Sequence, residues 1–247
     1  MLPDYVLGLD LAQASDWTAL CVLARNAQPR NAGEATYDCS HLERWRGESY
    51  MAVPARVERV LAGVRALHDA RRTDAYMRGE RPLPDAPRIA LVVDKTGVGA
   101  AVVDFLKAAK LDPIGVTIHG GDLVTEAERD DFRVPKRDLA AVVAILLQQR
   151  RLRIAAALPL AGTLRHELEN FRVTISASGH DRYAAGGDAL SWREQPHDDL
   201  VLAVSLGCWY AEYQARDTAG KMVHVGSYLP RAADDDRGPG RDWWKAS

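Results

Sequence analysis

Four aspartates offer this sequence its clearest chemistry: Asp10, Asp94 and the adjacent pair Asp198 and Asp199. Asp10 closes the run Tyr5-Val6-Leu7-Gly8-Leu9-Asp10, and Asp94 closes Arg88-Ile89-Ala90-Leu91-Val92-Val93-Asp94. Both runs are apolar enough to be buried strands, and an unpaired charge at the end of a buried strand costs on the order of several kcal/mol. Carboxylates brought together repel, so they must keep protons or share cations. All-oxygen donors favour Mg²⁺ or Mn²⁺ over zinc. Two such ions, about 4 Å apart, would clamp the attacking and leaving oxygens of an in-line phosphoryl displacement. One would help deprotonate water and the other would neutralise the departing 3′ oxygen. Taken singly, each acid has an ordinary reading. A strand-ending Asp is usually a turn former or cap, and acids in a helix's first turn complement its dipole. Their conjunction at the ends of three separate elements, in the order such a fold requires, is what points to a shared site.

Those elements can be read from periodicity. After the first strand, a short link (Gln13-Ala14-Ser15) leads to a second strand from Asp16 to Ala24. A third follows from about Ala35 to Trp45, mixed in polarity as an edge strand would be. Short connections make these three antiparallel. Val57, Val60, Leu61, Val64 and Leu67 then mark one face of a helix, followed by an exposed charged loop from Arg71 to Pro87. The Asp94 strand, a helix from Ala100 to Lys110 and a strand from Pro113 to Ile118 form a parallel crossover. His119 to Arg133 is expected as a surface loop. Pro135 opens a helix striped by Leu139, Val142, Val143, Leu146 and Leu147. Leu152–Ile154 is a brief strand, Ala161–Asn170 a helix, and 171–186 a hairpin. A last helix begins at Pro196-His197-Asp198-Asp199, with Leu200, Val201, Val204 and Cys208 along one face.

Three antiparallel strands, a helix, then parallel strand–helix units is the order of a ribonuclease H-like α/β fold, a central mixed sheet with helices on both faces. In such a sheet the first strand lies centrally beside the strand ending in Asp94, and the start of the last helix can pack over their common edge. Tyr5–Asp10, Val92-Val93-Asp94-Lys95-Thr96-Gly97-Val98-Gly99, Val134-Pro135-Lys136 and Pro196–Ala203, in that order, resemble the nuclease domain of tailed-phage terminase large subunits. The likeness spans about residues 4–214. It implies a two-metal endodeoxyribonuclease cutting double-stranded DNA with little sequence preference. Asp10, Asp94 and one or both of Asp198 and Asp199 would be its catalytic metal ligands, with His197 at the margin. It also implies partners: a separate ATPase motor, a small terminase subunit and a portal. By the same analogy the 171–186 hairpin would contact DNA or regulate the site. One departure stands out. The phosphate loop of the motor, G-x-x-x-x-G-K-[ST], does not occur, because Gly220-Lys221 is followed by Met222. This chain therefore reads as a nuclease part without its motor.

Weaker candidates surround the acids. Asp16 could support the site from the start of the second strand, and Lys95 could touch a phosphate or balance the acids. Lys136 and Arg137, with Arg150, Arg151 and Arg153, could line a DNA track, although most such charges are solvated faces. His166 and Glu167 read as surface residues. The domain is expected over 1–214 and a flexible tail over 215–247. A net charge of −2 neither announces nor excludes a nucleic-acid binder. Three well-separated cysteines, Cys21, Cys39 and Cys208, lack metal spacing and fit a reduced cytoplasmic setting. The sequence offers neither a membrane span nor a signal peptide. Rival readings are a junction-resolving nuclease on the same fold and a non-catalytic DNA- or protein-binding relative. An actin-like fold would need two domains and glycine-rich phosphate turns, and the chain has room for one.

Overall fold

The structure, a computed structural model, describes residues 2–11, 16–26, 35–80, 83–171 and 198–218. Eight strands form one sheet: β1 (Tyr5–Asp10), β2 (Thr18–Asn26), β3 (Thr36–Trp45), β4 (Ile89–Asp94), β5 (Ile114–His119), β6 (Thr125–Glu128), β7 (Asp131–Pro135) and β8 (Leu152–Ile154). Their order across the sheet is β6-β7-β5-β4-β1-β2-β3-β8. β1, β2 and β3 pair antiparallel, whereas β4 joins β1, and β5 joins β4, in parallel. The fold is ribonuclease H-like.

Alternation along β1 and β4 divides the core into two layers. Tyr5, Leu7, Leu9, Leu91 and Val93 meet α1 (Val53–Met77) and α2 (Gly99–Ala108) on one face. Val6, Ala90, Val92 and Val116 meet α3 (Lys136–Gln148), α4 (Ala161–Asn170) and α5 (Asp199–Thr218) on the other. By the same alternation Asp10 and Asp94 fall on the α5 face. The α5 helix is buried on nearly every side from Asp199 to Glu212, not along one stripe as expected, since the sheet lies on one side and α3 and α4 on the other.

Several expectations need correction. The α1 helix runs through Arg71 to Met77, where a loop was expected. Arg71 hydrogen-bonds Asn26 and lies over the Tyr5 ring, so the charged segment is anchored. The break comes at Gly79, whose φ of +67° favours glycine. His68, 1% exposed, replaces Leu67, 38% exposed, on the buried face. The expected loop His119–Arg133 contains the β6–β7 hairpin. Its signal, buried Phe132 and Val134 flanking exposed Arg133, is too short to outweigh polar neighbours. β3 is no edge strand, because β8 pairs with it. The last helix continues past Gln214 to Thr218, and residues 219–247 lie outside the described residues.

Candidate active site

Asp10 and Asp94 end neighbouring parallel strands, with Leu9 opposite Val93 in the register. Both are buried, at 7% and 8% exposure. Burial pushes Asp10 well above the usual carboxylate range, and the charges of Asp94, Asp199 and Asp198 push it further. The interaction between the two side chains raises Asp10 and lowers Asp94. Burial also raises Asp94, against the pull of Thr96, Asp10 and the Lys136 charge.

The turn after β4 fixes Asp94. The Thr96 amide donates to Asp94 Oδ1 at 2.7 Å, and Thr96 Oγ1 accepts from the Ile118 amide at 2.9 Å. Gly97 takes a φ of +61°. A Cβ on Gly99 would come within 2.9 Å of the Asp94 carbonyl carbon, so only glycine lets α2 start this close.

The third arm comes from α5. Gly8 lies against this helix so closely that a Cβ there would sit 2.9 Å from the Ala203 carbonyl carbon and 3.1 Å from the Gly207 amide nitrogen. This approach sets the first turn of α5 over the carboxyl end of β1. Buried Asp199 opens the helix; half-buried Asp198 precedes it and accepts a 2.9 Å hydrogen bond from Lys136 Nζ. Glu167, on α4, caps the helix: its Oε2 accepts the Leu200 amide at 2.9 Å and the Val201 amide at 3.2 Å. Its Oε1 meets Arg44 Nη1 at 2.8 Å. Burial pushes Asp199 up to about 7, reinforced by Glu167 and opposed by Arg44. Burial likewise pushes Glu167 up to about 7, opposed by the Val201 amide and Arg44.

Asp10, Asp94, Asp198 and Asp199 are thus electrostatic neighbours, and exposed Asp16 adds its charge to theirs, acting on Asp199. Among the described residues no three His, Cys, Asp or Glu side chains converge on one metal position. The Lys136 ammonium, bonded to Asp198, moderates the repulsion. The donor chemistry, carboxylate oxygens alone, fits a hard divalent cation.

Other expected residues separate from this cluster. Lys95 projects to the opposite face of the sheet from Asp94 and pairs with Asp131, so it does not balance the acids. Arg150, Arg151 and Arg153 lie beyond the far end of α3 from Lys136, and Arg151 and Arg153 pair with Glu212 and Asp38. They do not share a track with Lys136. His197 and the hairpin beyond Phe171 lie outside the described residues. The three cysteines are free and buried. Glu167, expected on the surface, is 3% exposed. Its signal was the i, i+3 spacing from buried Leu164. Gly8, Thr96 and Arg44 were also missed. A glycine inside a buried strand signals close backbone approach, and Asp-x-Thr after a strand suggests an Asx turn. Arg44 carries no comparable signal.

Neither a family model nor a curated protein sequence matches the chain. In structure it is similar to the large terminase nuclease from thermophilic phage G20c, at 20% identity over 83% of this chain and 81% of that one, TM-score 0.45. It is also similar to the human cytomegalovirus terminase nuclease domain, Mn soaked, at 12% identity over 90% and 86%, TM-score 0.49. Thermus thermophilus RuvC is a third, at 14% identity over 87% and 97%, TM-score 0.35. These scores assign no residue its role.

Proposed function

We propose that this chain is a divalent-metal-dependent endonuclease that hydrolyses duplex DNA with little sequence preference, as the nuclease part of a terminase-type packaging machine. The observation that carries this reading is the meeting of buried Asp10 and Asp94 at the ends of adjoining parallel strands, with buried Asp199 bearing on Asp10 from α5. So many buried carboxyls are unfavourable for folding alone, and a cation is the simplest compensation. Asp10, Asp94 and Asp199 are the proposed ligands, with Asp198 at the rim. Bound Mg²⁺ or Mn²⁺ would supply a Lewis acid that activates water and neutralises the departing 3′ oxygen.

The chain's own groups prepare that chemistry. Thr96 holds one Asp94 oxygen, Glu167 holds the first turn of α5, and Lys136 keeps a positive charge beside Asp198. Weak sequence preference follows if phosphates supply most of the binding. Among the described residues no helix is long and apolar enough to cross a membrane. A packaging role would require the ATPase motor, small subunit and portal as partners.

Supercoiled plasmid incubated with Mg²⁺, Mn²⁺ or EDTA tests the reading. Wild type should nick and linearise it with either ion and not in EDTA, and Asp10→Ala should be inert. Intact plasmid under every condition, or equal cutting by Asp10→Ala, would contradict it.

A further inference from the structure

The observations reach beyond the carboxylates to an aromatic and basic group at the same sheet edge. The register Asp10 to Ala19 brings Trp17, which precedes β2, alongside the end of β1. Two guanidiniums lie over this one indole, Arg44 at 4.3 Å and Arg46 at 4.7 Å from the ring centroid. They have different surroundings. Arg44 is largely buried and ion-paired to Glu167. Arg46 is exposed, and among the described residues it has no carboxylate partner. The acids nearest it in sequence are engaged elsewhere: Arg56 takes both Glu43 and Glu48, and Arg59 takes Glu43 as well. One positive charge is thus held on a flat platform, with no ion-pair partner among the described residues.

Resting on the nuclease reading, we infer that Trp17, Arg44 and Arg46 form a subsite for the phosphodiester backbone of duplex DNA beside the proposed catalytic carboxylates. Arg46 is the phosphate ligand, Trp17 fixes its plane, and Arg44 anchors Trp17 to α4 through Glu167. A polyanion approaching a cluster of acids meets repulsion, so a cation at the mouth is needed to hold the strand in place. A guanidinium suits the task because its planar fork matches a phosphate and stacks on an indole, which an ammonium does less well.

The test uses the full chain carrying Asp10→Asn, so that DNA is bound without being cut. A fluorescein-labelled duplex is titrated by anisotropy in Mg²⁺ across a series of KCl concentrations. Arg46→Ala should weaken binding roughly 3- to 10-fold and reduce the slope of log K against log salt by about 1. Arg46→Lys should keep the slope and lose part of the affinity. Arg65→Ala, an exposed residue of α1 against the opposite face of the sheet, should change neither. Thermal melting at the wild-type temperature confirms that Arg46→Ala is folded. Wild-type affinity and slope for folded Arg46→Ala, with plasmid still relaxed by the parent enzyme, overturn the subsite and leave the nuclease reading standing. An equal loss in Arg65→Ala also overturns the subsite, because general charge would then explain the effect. Failure of the Asp10→Asn chain to bind duplex together with failure of the wild type to relax plasmid overturns the two together.

Discussion

Gly8→Ala should damage the protein twice over, through stability and through the site. The added Cβ would lie 2.9 Å from the Ala203 carbonyl carbon, with the carbonyl oxygen closer still, and 3.1 Å from the Gly207 amide nitrogen. These are backbone atoms of α5, so no side chain can rotate away. The helix must retreat by about 1 Å to restore van der Waals contact, and overpacking of this kind costs about 1–3 kcal/mol. For a chain of this size that is a Tm loss of roughly 2–12 °C. The same retreat carries Asp199 away from Asp10 and Asp94, and a misplacement of about 1 Å can cost on the order of 100-fold in rate. Gly63→Ala is the control: its Cβ would meet nothing within 4 Å, and in α1 it should stabilise by about 0.5–1 kcal/mol. Differential scanning fluorimetry and plasmid nicking under matched conditions measure both effects. If Gly8→Ala melts and cuts like wild type, α5 is not seated directly on β1, and the proposed route by which Asp199 reaches the site is wrong.

Other consequences are open to measurement. Asp199 and Glu167 stand at about 7 in the fold, above ordinary values of 3.8 and 4.5. Raised carboxyl values give stability that is full below the unfolded values and is lost as pH rises through the folded ones. In EDTA the Tm should therefore fall between about pH 4 and pH 7, and the Asp199 shift alone is worth on the order of 4 kcal/mol over that interval. Mg²⁺ should reverse much of that fall, and a Tm that rises over this interval in EDTA would count against the buried-acid account. Asp10→Asn replaces a buried carboxyl, whose ionisation burial opposes, with a side chain that cannot ionise. It should raise the Tm in EDTA at neutral pH while abolishing nicking; a lowered Tm there would count against the raised Asp10. Glu167→Ala strips the cap from α5 and leaves Arg44 without its ion-pair partner, for a loss of about 3–5 kcal/mol in chemical denaturation. A loss within experimental error would remove Glu167 from the account.

The sheet order was legible because each element carried an undiluted local signal. Continuous apolar runs marked β1 and β4, and the 3.6-residue period marked α1 and α3. The meeting of Asp10 with Asp94 follows from strand order alone, since parallel neighbours end at one edge. What escaped depended on contacts remote in sequence. Glu167 looks like any surface glutamate until α5 brings the Leu200 and Val201 amides to it. Lys95 stands beside Asp94 in the chain, yet strand alternation turns it towards Asp131. Arg71 extends α1 because Asn26, at the end of β2, receives it. The β6–β7 hairpin was hidden by its polarity: β6 is exposed throughout and contributes no apolar pattern.

The central claim is that a divalent cation binds among Asp10, Asp94, Asp198 and Asp199, where the Lys136 ammonium now lies beside Asp198. Crystals of the protein soaked in Mn²⁺ at neutral pH, with data collected at the manganese edge, test it most directly. The account predicts anomalous density between Asp10, Asp94 and Asp199, absent from an Asp10→Asn crystal treated alike. Manganese bound only elsewhere, or no manganese at all under conditions that support nicking, would contradict it.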